Sequence, residues 1–229
     1  EMGVSRPEVI RRVIDGVEQE PFESLLIDCE ETHQGPIMEE MGKRRGELRD
    51  MVPDGKGRVR LEYMIPSRGI IGFRNQFLTM TSGTGVLNSI FDHYGPVKAG
   101  EVAARQNGVL VSMVAGKVLA YALFALQERG RLFIGPNIEV YEGQLIGIHS
   151  RDNDLAVNPT KGKQLTNVRA AGSDENILLT PPIRMSLEQA LDFIDEDELV
   201  EVTPQSIRLR KKLLKEVERR RAGRREASD

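Results

Sequence analysis

Apolar and polar positions alternate in a regular way from Glu20 to Phe91. Phe22 to Cys29 places Leu25, Ile27 and Cys29 on one side at a period of two, which predicts a strand with one buried face. His33-Gln34-Gly35-Pro36 then predicts a helix start, because proline is tolerated in a first turn. Ile37, Met41 and Leu48 form its expected apolar side and Gly46 its stop. Glu47 to Val52 and Arg58 to Ile65 read as strands joined by the turn Pro53-Asp54-Gly55-Lys56-Gly57. In the second of these, Val59, Leu61, Tyr63 and Ile65 alternate with Arg58, Arg60, Glu62 and Met64, so one face is buried and the other wet. A second helix is expected over Ile70 to Met80, with Ile70, Phe73 and Phe77 as one stripe. Gly83-Thr84-Gly85 ends it, and Val86 to Phe91 reads as a fourth strand. The order β-α-β-β-α-β is the split βαβ arrangement of ferredoxin-like domains.

Outside this stretch the pattern weakens. Residues up to about Glu18 read as a strand tail with a turn at Asp15-Gly16, too little to form a core. Together with a start at Glu1 rather than Met, this leads us to expect more protein upstream. From about Pro96 onward the chain favours short strands and many glycines. Val109 to Val114, Leu132 to Ile134, Gln144 to Ile148 and Ile177 to Thr180 are the expected strands. Val118 to Arg129 reads equally as a helix or as a pair of buried strands. Ser186-Leu187-Glu188-Gln189 carries the capping-box pattern for a short helix through Ile194. The expected class is α+β: a ferredoxin-like βαββαβ domain, then a β-rich mixed domain with short helices and a long basic loop.

Charge changes the picture locally rather than overall. With 32 basic against 35 acidic side chains the net charge is −3, which excludes wholesale polyanion binding. The charges are segregated, however: Glu188 to Glu201 holds seven acids and no base, and Arg208 to Arg225 holds ten bases and two acids. The acidic run Asp195-Glu196-Asp197-Glu198 lacks EF-hand spacing and reads as a solvated face. The basic segment carries Leu209, Leu213, Leu214 and Val217 as a partial apolar stripe; it reads as an RNA-binding tail or as a charged helix end. The single cysteine, Cys29, excludes an internal disulfide and a multi-cysteine zinc site, and it fits a reducing cytoplasm. The longest apolar stretch, Val118 to Leu126, is about half of what a membrane helix needs. A soluble, cytoplasmic protein with no membrane partner is expected.

Nucleotide chemistry has no support in the residues. The Gly-Lys pairs at Gly42, Gly55, Gly116 and Gly162 lack the upstream glycine and following hydroxyl of a P-loop, and Asp92-His93-Tyr94-Gly95 is a D-x-x-G without one. Cys29 and His33, with Asp28, permit a thiol–imidazole hydrolase reading beside the plainer one of a buried cysteine and a helix-start histidine. His33, His93 and His149 lie too far apart to form a local metal cluster. The stretch His149 to Asn176 is richer. Arg151, Lys161, Lys163 and Arg169 supply cations; Asn153, Asn158, Thr160, Gln164, Thr166 and Asn167 supply uncharged donors and acceptors; Gly162 permits close approach. That composition suits phosphate and ribose contacts, and equally an ordinary surface loop. Few aromatics are nearby in sequence, so base stacking is not expected there.

Several longer runs resemble a known family. Gly55-Lys56-Gly57-Arg58-Val59-Arg60-Leu61, Ile65-Pro66-Ser67-Arg68-Gly69-Ile70-Ile71-Gly72-Phe73-Arg74, Thr79-Met80-Thr81-Ser82-Gly83-Thr84-Gly85 and Arg105-Gln106-Asn107-Gly108-Val109-Leu110 are similar to the BipA/TypA translational GTPases. So are Tyr141-Glu142-Gly143-Gln144, Gly147-Ile148-His149-Ser150-Arg151 and Pro181-Pro182-Ile183-Arg184-Met185. The resemblance implies the C-terminal part of such a factor. Residues 1–18 would end a preceding domain, 19–92 would be the ferredoxin-like domain shared with elongation factor G, 93–210 the domain peculiar to the family, and 211–229 a basic tail.

It further implies binding to the bacterial ribosome, with contacts to rRNA and the acceptor end of A-site tRNA, during translation or ribosome assembly under stress; a monomer is expected. The RNA-contacting residues would be His149, Arg151, Asn153, Asn158, Lys161, Lys163, Gln164 and Arg169, with Lys161-Gly162-Lys163-Gln164 where many members carry adjacent lysines. No catalysis and no cofactor are expected in these residues, with GTP and Mg²⁺ belonging to the full-length protein. The competing reading is a protein-interaction or oligomerisation module using the ferredoxin-like sheet or the acidic helix.

Overall fold

The computed structural model describes residues 2–100, 105, 107–162 and 177–226. The chain divides into two units, Pro7–Ala104 and Glu1–Arg6 together with Arg105–Asp229. The opening strand, β1 (Met2–Val4), belongs to the second of these.

In the first unit β2 (Arg12–Ile14) and β3 (Val17–Glu30) form a hairpin through Asp15 and Gly16, whose φ values of 51° and 77° give the tight turn its hand. A single 3-10 turn leads to α1 (Gln34–Lys43), then β4 (Glu47–Pro53), β5 (Arg58–Pro66), the short α2 (Ser67–Ile70), α3 (Phe73–Met80) and β6 (Val86–Pro96). The strands are antiparallel in the order β4-β5-β3-β6, the ferredoxin-like arrangement, with β2 on the N-terminal end of β3. Leu25, Ile27 and Cys29 of β3 and Val59, Leu61, Tyr63 and Ile65 of β5 bury the face expected from their alternation, against Ile37 and Met41 of α1 and Phe73 and Phe77 of α3. Removing either phenylalanine ring from such a core costs about 3–5 kcal/mol.

Four expectations change here. Leu48 is not on α1; it lies in β4 and is largely exposed. α1 ends at Lys43, three residues before Gly46: Arg45 takes the left-handed turn (φ 64°), and Gly46 N–H donates to Met41 O at 2.8 Å, which satisfies a carbonyl the helix end leaves open. The helix expected over 70–80 is two pieces, parted by extended Ile71 and by Gly72 at φ 75°. The break is held by Arg44, which donates to the Gly69 and Ile71 carbonyls at 2.9 and 3.2 Å while pairing with Glu40 at 2.9 Å. β6 also runs on past Phe91 to Pro96. A bulge at Asp92 lets it continue along β3, with the His93 ring stacked on Phe22 at 5.3 Å. The D-x-x-G run is therefore part of a bulged strand.

The second unit continues with β7 (Val109–Ser112), β8 (Gly116–Lys117), α4 (Ala120–Leu126), β9 (Gly130–Leu132), β10 (Glu139–Val140), β11 (Gln144–His149), β12 (Leu155–Val157), α5 (Leu187–Phe193), β13 (Glu198–Val202), β14 (Ile207–Lys211) and α6 (Glu216–Glu226). Its main sheet runs β1-β13-β14-β11-β7-β12, with β9 also on β11, and β12 alone runs parallel to its neighbour. One core gathers Leu110, Val118, Leu123, Leu126 and Ile146; another gathers Val109, Val111, Leu145, Ala190, Ile194 and Val200.

Val118–Arg129 thus contains a helix rather than two strands. Ile177 to Thr180 is not a strand; Gln127 holds it, donating to Leu178 O and accepting from Thr180 N–H, both at 3.0 Å. The capping box at Ser186 and Gln189 is formed, the Gln189 N–H lying 3.2 Å from Ser186 Oγ. The basic segment 208–225 divides into strand β14 and helix α6. No helix among the described residues is long and apolar enough to cross a membrane.

Candidate nucleic-acid interface

The stretch expected as one long basic loop is, in its described part, pinned at both ends of a strand. β11 ends at His149, a tight turn follows, and β12 runs parallel to β7 before residues 158–162 dock beside Leu119. The turn packs directly on Gly108, whose N–H donates to Arg151 O at 2.8 Å and which has no room for a Cβ beside the Asn153 carbonyl. Beyond β12, Asn158 Oδ1 accepts from the Thr160 N–H at 2.9 Å and the Thr160 hydroxyl at 2.8 Å, closing an Asx turn.

The predicted contact residues fare differently. Arg151, Asn153, Asn158 and Lys161 are exposed. Arg151 and Asn153 sit before β12 and Asn158 and Lys161 after it, so Asp154 and the three residues of β12 separate the two pairs. His149 is corrected: it is 4% exposed, and its Nδ1 lies 2.6 Å from the Asn153 carbonyl. It fastens the turn from inside and offers no free face to a ligand. Lys163, Gln164 and Arg169 lie outside the described residues.

A cluster behind the turn was not singled out in advance. Arg105 Nη1 and Nη2 stand 2.7 and 3.0 Å from the two oxygens of Glu198, which is fully buried. Lys211 Nζ reaches Asp154 at 2.5 Å, Asp197 at 2.8 Å and Glu198 at 2.9 Å. Burial alone would raise the Glu198 carboxyl, but Arg105 and Lys211 hold it below the ordinary glutamate range. Burial likewise works against charge on Lys211, and its three carboxylate partners more than reverse that. Asp154 Oδ1 also accepts from Val109 N–H at 2.9 Å, so the cluster ties the start of β12 to β7 and β14. The acidic run is therefore not a plain solvated face, and Lys211 is not part of a free tail. Asp197 and Glu198 come from the acidic run and Lys211 from the basic segment, and only the fold brings them together. On the same side, Asp154, Leu155, Asp197, Arg219 and Arg220 line an open cleft of about 640 Å³ bordered by α6.

Other candidate chemistry falls away. Cys29 is buried, and burial pushes its thiol up from the usual value, the reverse of what a nucleophile needs. Among the described residues no group of three or more His, Cys, Asp or Glu is placed to hold a metal ion.

Comparison with known proteins accounts for both units. Residues 17–105 match the elongation factor G C-terminus, and residues 107–216 match the TypA/BipA C-terminal domain. The chain belongs to the TypA/BipA family. Over 224 residues, 98% of its length, it is 66% identical to a protein of Haemophilus influenzae named large ribosomal subunit assembly factor BipA. The like-named Escherichia coli protein is 64% identical over 98% of the chain, and that of Buchnera aphidicola 54% over its full length. The chain spans 36%, 37% and 38% of these three relatives, so it corresponds to a little over a third of a TypA/BipA protein.

Proposed function

We propose that these residues are the ribosome-binding C-terminal part of a cytoplasmic TypA/BipA translational GTPase that acts in large-subunit assembly or translation. The supporting observation is the 66% identity, over 98% of this chain, to a protein named a large ribosomal subunit assembly factor. GTP and Mg²⁺ belong to the part of such factors that this chain does not span. Here the task is recognition, with Arg151, Asn153, Asn158 and Lys161 offering exposed charge and amides to rRNA and to the acceptor end of tRNA. Lys163, Gln164 and Arg169 continue this donor set along the sequence.

Cosedimentation of the chain with bacterial ribosomes across a salt series tests this. Affinity is expected to fall steeply with salt, and Arg151→Ala or Lys161→Ala should each flatten the logarithmic slope by roughly 0.7–0.9. No binding at low salt, or slopes unchanged in both variants, would remove these residues from the proposal. A protein-docking role for the first unit has one observation in its favour: Ile90 and Phe91 of β6 are strongly exposed. Self-association with concentration, without RNA affinity, would select that reading and displace the monomer.

A further inference from the structure

α4 stands between the two places where the described chain is held on either side of positions 163–176. At its N-terminal end the Leu119 N–H donates to Pro159 O at 3.1 Å, and a Cβ on Gly162 would lie 3.7 Å from Leu119 Cδ1. At its C-terminal end Gln127 holds Leu178 and Thr180 at 3.0 Å. The helix is seven residues long, about 10 Å.

α4 buries Ala122, Leu123 and Leu126 and turns Tyr121 and Phe124 outward, 45% and 43% exposed. Three positions apart, they share one face. A lone exposed aromatic is ordinary; the surroundings set this pair apart. Lys117 and Lys161 lie toward the N-terminal end and Arg129 just beyond the C-terminal end. All three are exposed, and none forms an ion pair among the described residues. Glu128 is the exposed acid on this stretch.

Flat apolar rings among exposed cations fit a ligand that is itself both flat-faced and anionic. Resting on the RNA-binding reading above, we infer that Tyr121 and Phe124 form a stacking platform for unpaired nucleotides of RNA, with Lys117, Lys161 and Arg129 serving the flanking phosphates. Duplex RNA hides its base faces within the stack, so the platform selects single-stranded or splayed nucleotides. The rings come from a segment more than twenty residues upstream of the amide-rich stretch. That distance is why stacking was not expected from sequence.

The test is a short unstructured RNA carrying a single 2-aminopurine, titrated with the chain, with an RNA duplex as reference. Binding of the single strand should quench the fluorophore. Tyr121→Leu and Phe124→Leu should each abolish most of the quenching and weaken binding about tenfold, while Tyr121→Phe retains both. Leucine keeps the apolar surface and is a strong helix former, so the exchange removes the ring and spares the fold. Duplex binding should be indifferent to both leucine variants. Leucine variants that bind and quench like the parent overturn the platform and leave the RNA-binding reading standing. This is also the result expected if an apolar protein segment is what seats here. A chain that binds neither RNA overturns both.

Discussion

Arg105 grips Glu198 with two nitrogens, 2.7 and 3.0 Å from the two carboxylate oxygens, in a site where the acid is wholly buried. Such a pair is dispensable only if both partners leave together, because a buried charge without its partner carries its full desolvation cost. Arg105→Leu is therefore expected to destabilise the second unit by about 3 kcal/mol, with Lys211 retaining part of the compensation. Urea unfolding followed by circular dichroism and by hydrogen exchange resolved between the units measures it. A loss confined to the first unit would contradict the assignment.

The same acid predicts a pH dependence. Its folded carboxyl lies below the ordinary value of 4.5, so it contributes stability above that pH and loses it as pH falls through the lower folded value. Hydrogen exchange in β13 and β14 is expected to accelerate as pH drops below 4.5, beyond the intrinsic change in exchange rate. In Glu198→Gln this acid-side step should be absent, on a background of lower stability at neutral pH.

Gly108 faces the Asn153 carbonyl with no room for a side chain, and the obstructing atoms are backbone. Gly108→Ala must displace the 150–154 turn or β7. A cost of about 2 kcal/mol is expected, in the range of overpacked cores. Because Arg151 and Asn153 ride on this turn, ribosome affinity should fall with it. Thermal unfolding and cosedimentation, measured on one preparation, check the two effects together.

Cys29 is buried and its thiol is pushed up by desolvation. Iodoacetamide at neutral pH should leave the native chain unmodified and label it fully in urea. Cys29→Ser is expected to preserve ribosome binding while costing about 1–3 kcal/mol for a buried hydroxyl. Rapid native labelling would reopen the thiol hydrolase reading.

What was legible in the sequence follows from where its causes lie. The alternation in β3 and β5 marks the buried face because a sheet covered on one side imposes period two on its own residues. The break at Ile71-Gly72 was not legible, since the side chain that takes the freed carbonyls is Arg44, just past the end of α1 and more than twenty residues away in sequence. Along the candidate contact stretch, exposure of Arg151, Asn153, Asn158 and Lys161 followed from local polarity. His149 looked equally polar, yet a carbonyl four residues on holds it inside. Lys211 read as one more tail cation because its partners Asp154, Asp197 and Glu198 come from distant segments.

β1 carries a practical warning for dissection of the protein. Met2, Gly3 and Val4 pair with Val202, Glu201 and Val200, and Arg6 reaches Asp195 at 3.1 Å, yet the family match for this unit begins only at residue 107. The unit is thus assembled from two separated lengths of chain. A piece cut to the matched residues would lose its outermost strand and the Arg105 clamp in one stroke. The bared β13 edge would then be free to recruit a second copy by strand addition. Dimers or aggregates of such a trimmed domain would be an artefact of the scissors, with no bearing on how the intact factor assembles.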